Sequence, residues 1–278
     1  MTDFAAIRSQ FPILDQGIHG HPLVYLDSAA TSQKPQCVID AESDFYRTIN
    51  AGVHRGAHEL AARSTMAFED ARAKVAKLVG ADSAEGEEEI VVTAGATAGL
   101  NLLATAFGNA SLGRGGEAAR RFAVKSGDEI VVSKAEHHSV LLPFQELAAR
   151  TGATLKWFDL DDEGRILANT ADEVITERTK IVAVTHVGNT TGAITDIAPI
   201  VKRAHEVGAV VVLDACQSVP HLKIDLHALD VDFAAWSAHK MYGPTGVGFL
   251  YGKREMLEAL PPANFGGSMV ELAWMDQE

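Results

Sequence analysis

Cysteine is scarce in this chain: only Cys37 and Cys216 occur, far apart and without metal-ligand spacing. That excludes a disulfide scaffold and fits a reducing compartment. Basic charge is also in short supply, with 24 lysines and arginines against 37 acidic residues and a formal net charge of −13. Nucleic-acid modules carry a basic patch or stripe, and none stands out, so no nucleic-acid partner is expected. No apolar run approaches the roughly 20 residues of a membrane span. The amino terminus, MTDFAAIRSQFPIL, lacks the basic-then-apolar order of a secretion signal. The expectation is a cytoplasmic location with no membrane contact. Internal repeats and low-complexity tracts are missing too. What is present is ordinary: 278 residues, 47% of them apolar, enough to bury the core of one large domain, with or without a fragment of a second.

From about residue 88 onward, short apolar runs alternate with amphipathic stretches, the pattern of parallel strands joined by covering helices. The strand candidates are EEIVVT (88 to 93), DEIVVS (128 to 133), ATLKWF (153 to 158), KIVAVT (180 to 185), AVVVLD (209 to 214), VDFAAW (231 to 236) and GVGFLY (246 to 251). Most are too short and too rich in β-branched residues for helices. Residues 97 to 107, 139 to 151 and 196 to 207 place apolar positions at helical spacing and end near Gly108, Gly152 and Gly208. Two more helices are read over 35 to 50 and 58 to 79, with YLD at 25 to 27 as a short extended lead-in. The stretch from Ser111 to Ser126 has glycines, arginines and little periodicity, which predicts a surface loop with a solvated basic cluster. The whole reads as an α/β fold.

In an open parallel sheet, ligands collect outside the carboxyl ends of the strands. Several such ends carry chemistry here. AVVVLD delivers Asp214, with Gln217 three residues on; THVGN places His186 and Asn189; SKAEHHSV places His137 and His138; VDFAAW is followed by Ser237, Ala238, His239 and Lys240. A buried carboxylate needs a cationic partner, and a pyridinium nitrogen is one, which suits Asp214. A partly desolvated lysine amine sheds its proton more readily and can form an imine with an aldehyde, which suits Lys240. TAGATAGLN follows a strand and opens a helix, offering backbone amides and the Thr97 hydroxyl to an anion. Taken alone it could equally be a nucleotide-binding turn. Adjacent histidines at a strand end point different ways and no third ligand sits at suitable spacing, so no metal is expected. Cys216, in a turn expected to be buried, and Cys37, at a helix start, are read as structural thiols.

Six motifs then carry a resemblance that covers nearly the whole chain: YLDSAATSQKP (25 to 35), AGVHRGAHELAARST (51 to 65), AEHHSVLLPFQELAARTGA (135 to 153), THVGNTTGAITDI (185 to 197), VLDACQSVPH (212 to 221) and SAHKMYGPTGVGFLYGK (237 to 253). The sequence resembles the fold-type I pyridoxal-phosphate enzymes of the class V aminotransferase group, and within it the SUF-type cysteine desulfurases. The resemblance implies a three-layer α-β-α large domain with a mainly parallel sheet. It also implies an amino-terminal arm over 1 to 22, the cofactor-binding domain over 23 to 260, and the start of an interface loop over 261 to 278, with the small carboxyl-terminal domain absent.

For the site, the resemblance implies pyridoxal 5′-phosphate bound to Lys240 as a Schiff base. Asp214 would pair with the ring nitrogen, Gln217 would lie near the phenolic oxygen and His137 would stack on the ring. Thr97, Ser237 and His239 would hold the phosphate, and Gly267 would approach the site of a second subunit. Asn189 would face the substrate carboxylate, with His54 and Arg55 at the pocket edge. The implied reaction takes L-cysteine to L-alanine and an enzyme persulfide, which a homodimer passes to a sulfur-acceptor protein for iron-sulfur cluster assembly. Neither cysteine matches the family's nucleophile, which lies beyond residue 278 together with the carboxylate-gripping arginine. Activity of this chain by itself is therefore not expected to follow from the resemblance. Ala98 stands where the family often has an acidic residue, and Ala238 where it has glycine. The alternatives are a selenocysteine lyase or another lyase of the group, and a non-catalytic remnant that still binds cofactor.

Overall fold

The computed structural model describes residues 2–81 and 86–267, so most of the interface loop expected over 261 to 278 lies outside the described residues. A minor hairpin of two short strands, β1 (Gly17–Ile18) and β2 (His21–Pro22), sits in the amino-terminal arm. The main sheet comprises β3 (Ile90–Thr93), β4 (Glu129–Ser133), β5 (Thr154–Phe158), β6 (Thr179–Thr185), β7 (Val210–Asp214), β8 (Phe233–Ser237) and β9 (Gly248–Gly252). Their order is β3-β9-β8-β7-β6-β4-β5. All neighbours pair parallel except those of β9, which runs antiparallel between β3 and β8. Every strand read from the sequence is present, within two residues of its expected start.

The helices are α1 (Phe4–Arg8), α2 (Gln36–Thr48), α3 (Glu59–Leu78), α4 (Ala96–Ser111), α5 (Gly116–Ala119), α6 (His138–Thr151), α7 (Ala171–Val174), α8 (Ala198–Glu206), α9 (Ser218–His221) and α10 (Arg254–Ala259). In α4, Leu100, Leu103, Phe107 and Ala110 recur at three to four residues and are buried; in α6, Val140, Phe144, Leu147 and Ala148 do the same. The two helices pack on each other, α4 across β8 and β9 and α6 across β4 to β6, while α8 covers β6 and β7. Strands β4, β7 and β8 are buried along their whole length, which is why they read as unbroken apolar runs instead of alternating ones. Trp236, Phe107, Phe122, Phe144, Phe158 and Phe233 are fully buried. Each contributes about 1.5–3 kcal/mol of transfer free energy.

One expectation is corrected. Residues 111 to 126 are not a plain surface loop: α5 and a 3-10 turn at Arg120–Phe122 fold there and bury Ala119, Phe122 and Val124. Phe122 stacks on Phe107 with ring centres 5.4 Å apart and a 17° interplanar angle. The apolar payload of that one ring outweighs the polar, glycine-rich composition around it. The arginines there stay exposed. The arm before the sheet is thin: α1 buries nothing, and Leu26 is 91% exposed.

Candidate active site

Chain direction reverses between β4 and β6: from β4 the chain moves outward to β5, and from β6 it moves the other way to β7 and β8. Such a switch point opens a crevice at the carboxyl ends of the strands. A cavity of about 460 Å³ lies there, lined by Thr97, His137, Asn189, Asp214, Gln217, Ser237, His239 and Lys240. Eight of the residues singled out in the sequence thus meet in one place. Asp27, Ser139, Thr185 and Cys216 also line it and were not singled out as site residues. Ser139 and Thr185 could have been found, since one lies two residues past His137 and the other is the last residue of an apolar strand.

Asp214 ends β7 and is 5% exposed. Its Oδ1 accepts from the Cys216 N–H at 2.9 Å, and no cation pairs with it among the described residues. Burial, with Asp214 next, pushes the Cys216 thiol well up, against some relief from Lys240. Lys240 closes the short 3-10 turn after β8. That turn is clamped by the segment after the arm: the carbonyl of His239 accepts from the Ser32 N–H at 2.9 Å, the Ser32 hydroxyl at 3.0 Å, the Thr31 hydroxyl at 3.1 Å and Lys34 Nζ at 3.1 Å. Burial, then the charges of Lys240 and Lys34, hold the His239 imidazole below its ordinary range.

The anion-binding end is built from two strand ends and a helix. Gly95 has φ 146° and brings no side-chain cap to α4. A side chain is disfavoured at that angle, and the N-cap residue itself leaves the first amides of the helix to other acceptors. The Ser237 hydroxyl accepts from the Ala96 N–H at 2.9 Å. At Gly248, a Cβ would lie 2.4 Å from Gly95 Cα, so the backbones of β9 and the turn touch only because residue 248 is glycine. Thr97 Oγ1 and Ser139 Oγ are 2.8 Å apart. His137 caps α6: its Nδ1 accepts from the Ser139 N–H at 3.1 Å, which places the proton of the neutral ring on Nε2. Gln217 Nε2 donates to the Ala29 carbonyl at 2.8 Å, turning its amide toward the cavity rim.

Three expected residues lie elsewhere. His54 Nε2 meets Glu69 Oε1 at 2.9 Å, and its N–H donates to Thr65 Oγ1. Arg55 neighbours Gly267, whose Cβ, if present, would sit 3.3 Å from the guanidinium. None of the three lines this chain's cavity.

Pyridoxal phosphate fits what is there. A buried carboxylate without a cation suits a ring nitrogen that carries a proton, an amine within the same cavity suits an aldehyde, and the uncapped start of a 16-residue helix beside two hydroxyls suits a phosphate.

Comparison with known proteins agrees. The family described as Aminotransferase class-V matches residues 24–278. A probable cysteine desulfurase of Streptomyces coelicolor is 48% identical over 276 residues, which is 99% of this chain and 63% of that protein. Among solved structures, the cysteine desulfurase CsdA from Escherichia coli superposes with a TM-score of 0.83 at 39% identity, over 99% of this chain and 64% of its own. The apo cysteine desulfurase from Thermococcus onnurineus gives 0.86 at 35% identity, over 99% and 63%. The chain therefore spans a little under two thirds of the proteins it resembles.

Proposed function

The chain belongs to the class-V aminotransferase family, and on that footing we propose that it is the pyridoxal-phosphate-binding part of a cysteine desulfurase. The observation that carries this reading is the convergence of Lys240, Asp214 and His137 in one cavity from separate strand ends. When bound, the cofactor supplies an aldehyde carbon for an amine and a protonated ring that takes up electrons from the substrate Cα.

The rest falls to the chain's own groups. Lys240 Nζ would hold the cofactor and would be the amine placed to carry the proton of the substrate Cα. Asp214 would keep the ring nitrogen protonated, with His137 against the ring face and Gln217 near the phenolic oxygen. Thr97, Ser237, His239 and the first amides of α4 hold the phosphate. Asn189 orients the substrate carboxylate. His54, Arg55 and Gly267, which lie away from their own chain's cavity, are assigned to the rim of the second subunit's site in a homodimer.

A cysteine thiolate takes the sulfur as a persulfide, L-alanine leaves, and the sulfur passes to an acceptor protein of iron-sulfur assembly in the cytoplasm. Cys216 is not that thiolate, because burial keeps its thiol protonated. Cys37 is exposed on α2, outside the cavity lining.

The test is an absorbance spectrum of purified protein with pyridoxal phosphate, followed by borohydride reduction and peptide mapping, with L-cysteine or L-selenocysteine in parallel samples. A cofactor adduct on Lys240 and alanine release from L-cysteine are expected for the competent enzyme. Absence of the adduct would overturn the reading.

A further inference from the structure

Glu136 immediately precedes His137, yet it plays no part in the site described above. It stands at the switch point. Its Oε1 accepts from the Thr185 N–H at the end of β6, at 3.0 Å, and from the hydroxyl of Ser133 at the end of β4. The Ser133 hydroxyl in turn accepts from the Ala135 N–H at 3.1 Å, which closes the turn carrying Glu136 and His137. One carboxyl group therefore spans the crevice between the two strands that flank the cofactor cavity.

Its other oxygen, Oε2, is sealed from solvent and has no partner. The residue as a whole is only half-buried, so the exposure belongs to other atoms. A bare carboxylate oxygen in that position would be costly to desolvate, whereas a carboxylic acid proton on Oε2 removes the charge. Both donors already point at Oε1, so Oε2 is the atom left to carry it. The charged and titratable groups around it are Asp214 from β7, and Lys134, His137 and His138 on its own turn. Burial first, and then the Asp214 charge, push the Glu136 carboxyl up to about 8, against the bonds from Ser133 and Thr185.

We propose that Glu136 is a positioning residue, a neutral carboxylic acid that braces the His137 turn against the end of β6 and so sets the imidazole over the cofactor cavity. The inference rests on the reading of that cavity as a pyridoxal-phosphate site. Glutamine keeps the acceptor oxygen and the neutrality; alanine keeps neither contact. The measurement is the dissociation constant of pyridoxal phosphate at neutral pH for the parent chain, Glu136→Gln, Glu136→Ala, His137→Ala and the double alanine variant.

Glu136→Gln is expected to bind within about twofold of the parent and Glu136→Ala about tenfold more weakly, with Glu136→Ala adding nothing once His137 is alanine. Additive losses in the double variant, or equal losses in the Gln and Ala variants, would overturn the proposal. Unchanged binding in His137→Ala would sink the cofactor role of that ring and this inference with it, whereas the cavity reading falls only if Lys240→Ala also forms the adduct. A second measurement does not depend on cofactor. Because the folded carboxyl titrates near 8 and an unfolded one at 4.5, the stability of the cofactor-free parent relative to Glu136→Gln falls as pH rises across that window and levels off above it. A flat difference would show that Glu136 is charged in the folded protein.

Discussion

Asp214 and Asp232 are buried carboxylates at opposite ends of the same two strands, and they are treated in opposite ways. Asp232, 1% exposed, lies where β7 and β8 begin. It accepts from the Val211 N–H at 2.8 Å, from His205 Nε2 at 3.1 Å and from Lys253 Nζ at 3.0 Å. Asp214, where β7 ends, accepts one backbone N–H and faces a cavity. Lys253 and His205 bond the first carboxylate from within the chain; among the described residues no cation pairs with the second. A buried charge bonded on all sides holds a fold together, and one that faces a cavity can meet a ligand.

The contrast can be broken or sharpened experimentally. The largest effect is expected from Lys240→Ala, which should abolish the borohydride-stable cofactor adduct while the unfolding midpoint stays near that of the parent. Next, Asp214→Asn should weaken cofactor binding about 100-fold in a spectroscopic titration. The same change should leave the cofactor-free protein as stable as before or more so, since it removes a buried charge that no cation pairs among the described residues. The reverse pattern is expected of Asp232→Asn: a loss of about 3 kcal/mol in urea unfolding, with the affinity of the remaining folded protein for pyridoxal phosphate unchanged. If the two variants behaved alike, the division between structural and functional carboxylates would fail.

The smallest effect is one of pH. The bond from Asp232 raises the His205 imidazole above its ordinary 6.5. Bonds from His205, Val211 and Lys253 overcome the burial penalty and hold Asp232 below its ordinary 3.8. The His205 contribution is complete below its unfolded pKa and is lost as pH rises through the raised folded value. The Asp232 contribution is complete above its unfolded pKa and is lost as pH falls through the depressed one. The stability gap between the parent and Asp232→Asn should therefore be widest between those two ordinary values and narrow on either side. A constant gap from pH 3 to 9 would mean that the cluster does not titrate as described.

Much of this was legible in the residues. The strands could be read because their burial on both faces leaves short, unbroken β-branched runs, and the polar residues just beyond them marked the cavity. The antiparallel insertion of β9 could not be read, since a strand's direction leaves no trace in its own composition. Phe122 was hidden because one aromatic amid arginines and glycines does not produce a period. Glu136 was passed over for the histidines beside it: a glutamate in a turn looks solvated, and only the three-dimensional structure puts Thr185 and Asp214 around it. The pairing of Asp232 with Lys253 and His205 escaped for the same reason, as its members are scattered along the chain.

The placement of β9 also governs when the site can come into being. β3 and the start of α4 come first along the chain, Ser237 and Lys240 well over a hundred residues later, and the strand that joins them to one another follows both. Closing so long a loop is slow, because its entropy is lost before any contact repays it. A nascent chain halted just short of Gly248 would own every residue of the cavity from Thr97 to Lys240 and still lack the strap that draws them together. Capture of the cofactor must therefore wait for β9 to pair between β3 and β8, and in refolding experiments it should track the phase in which those strands pair.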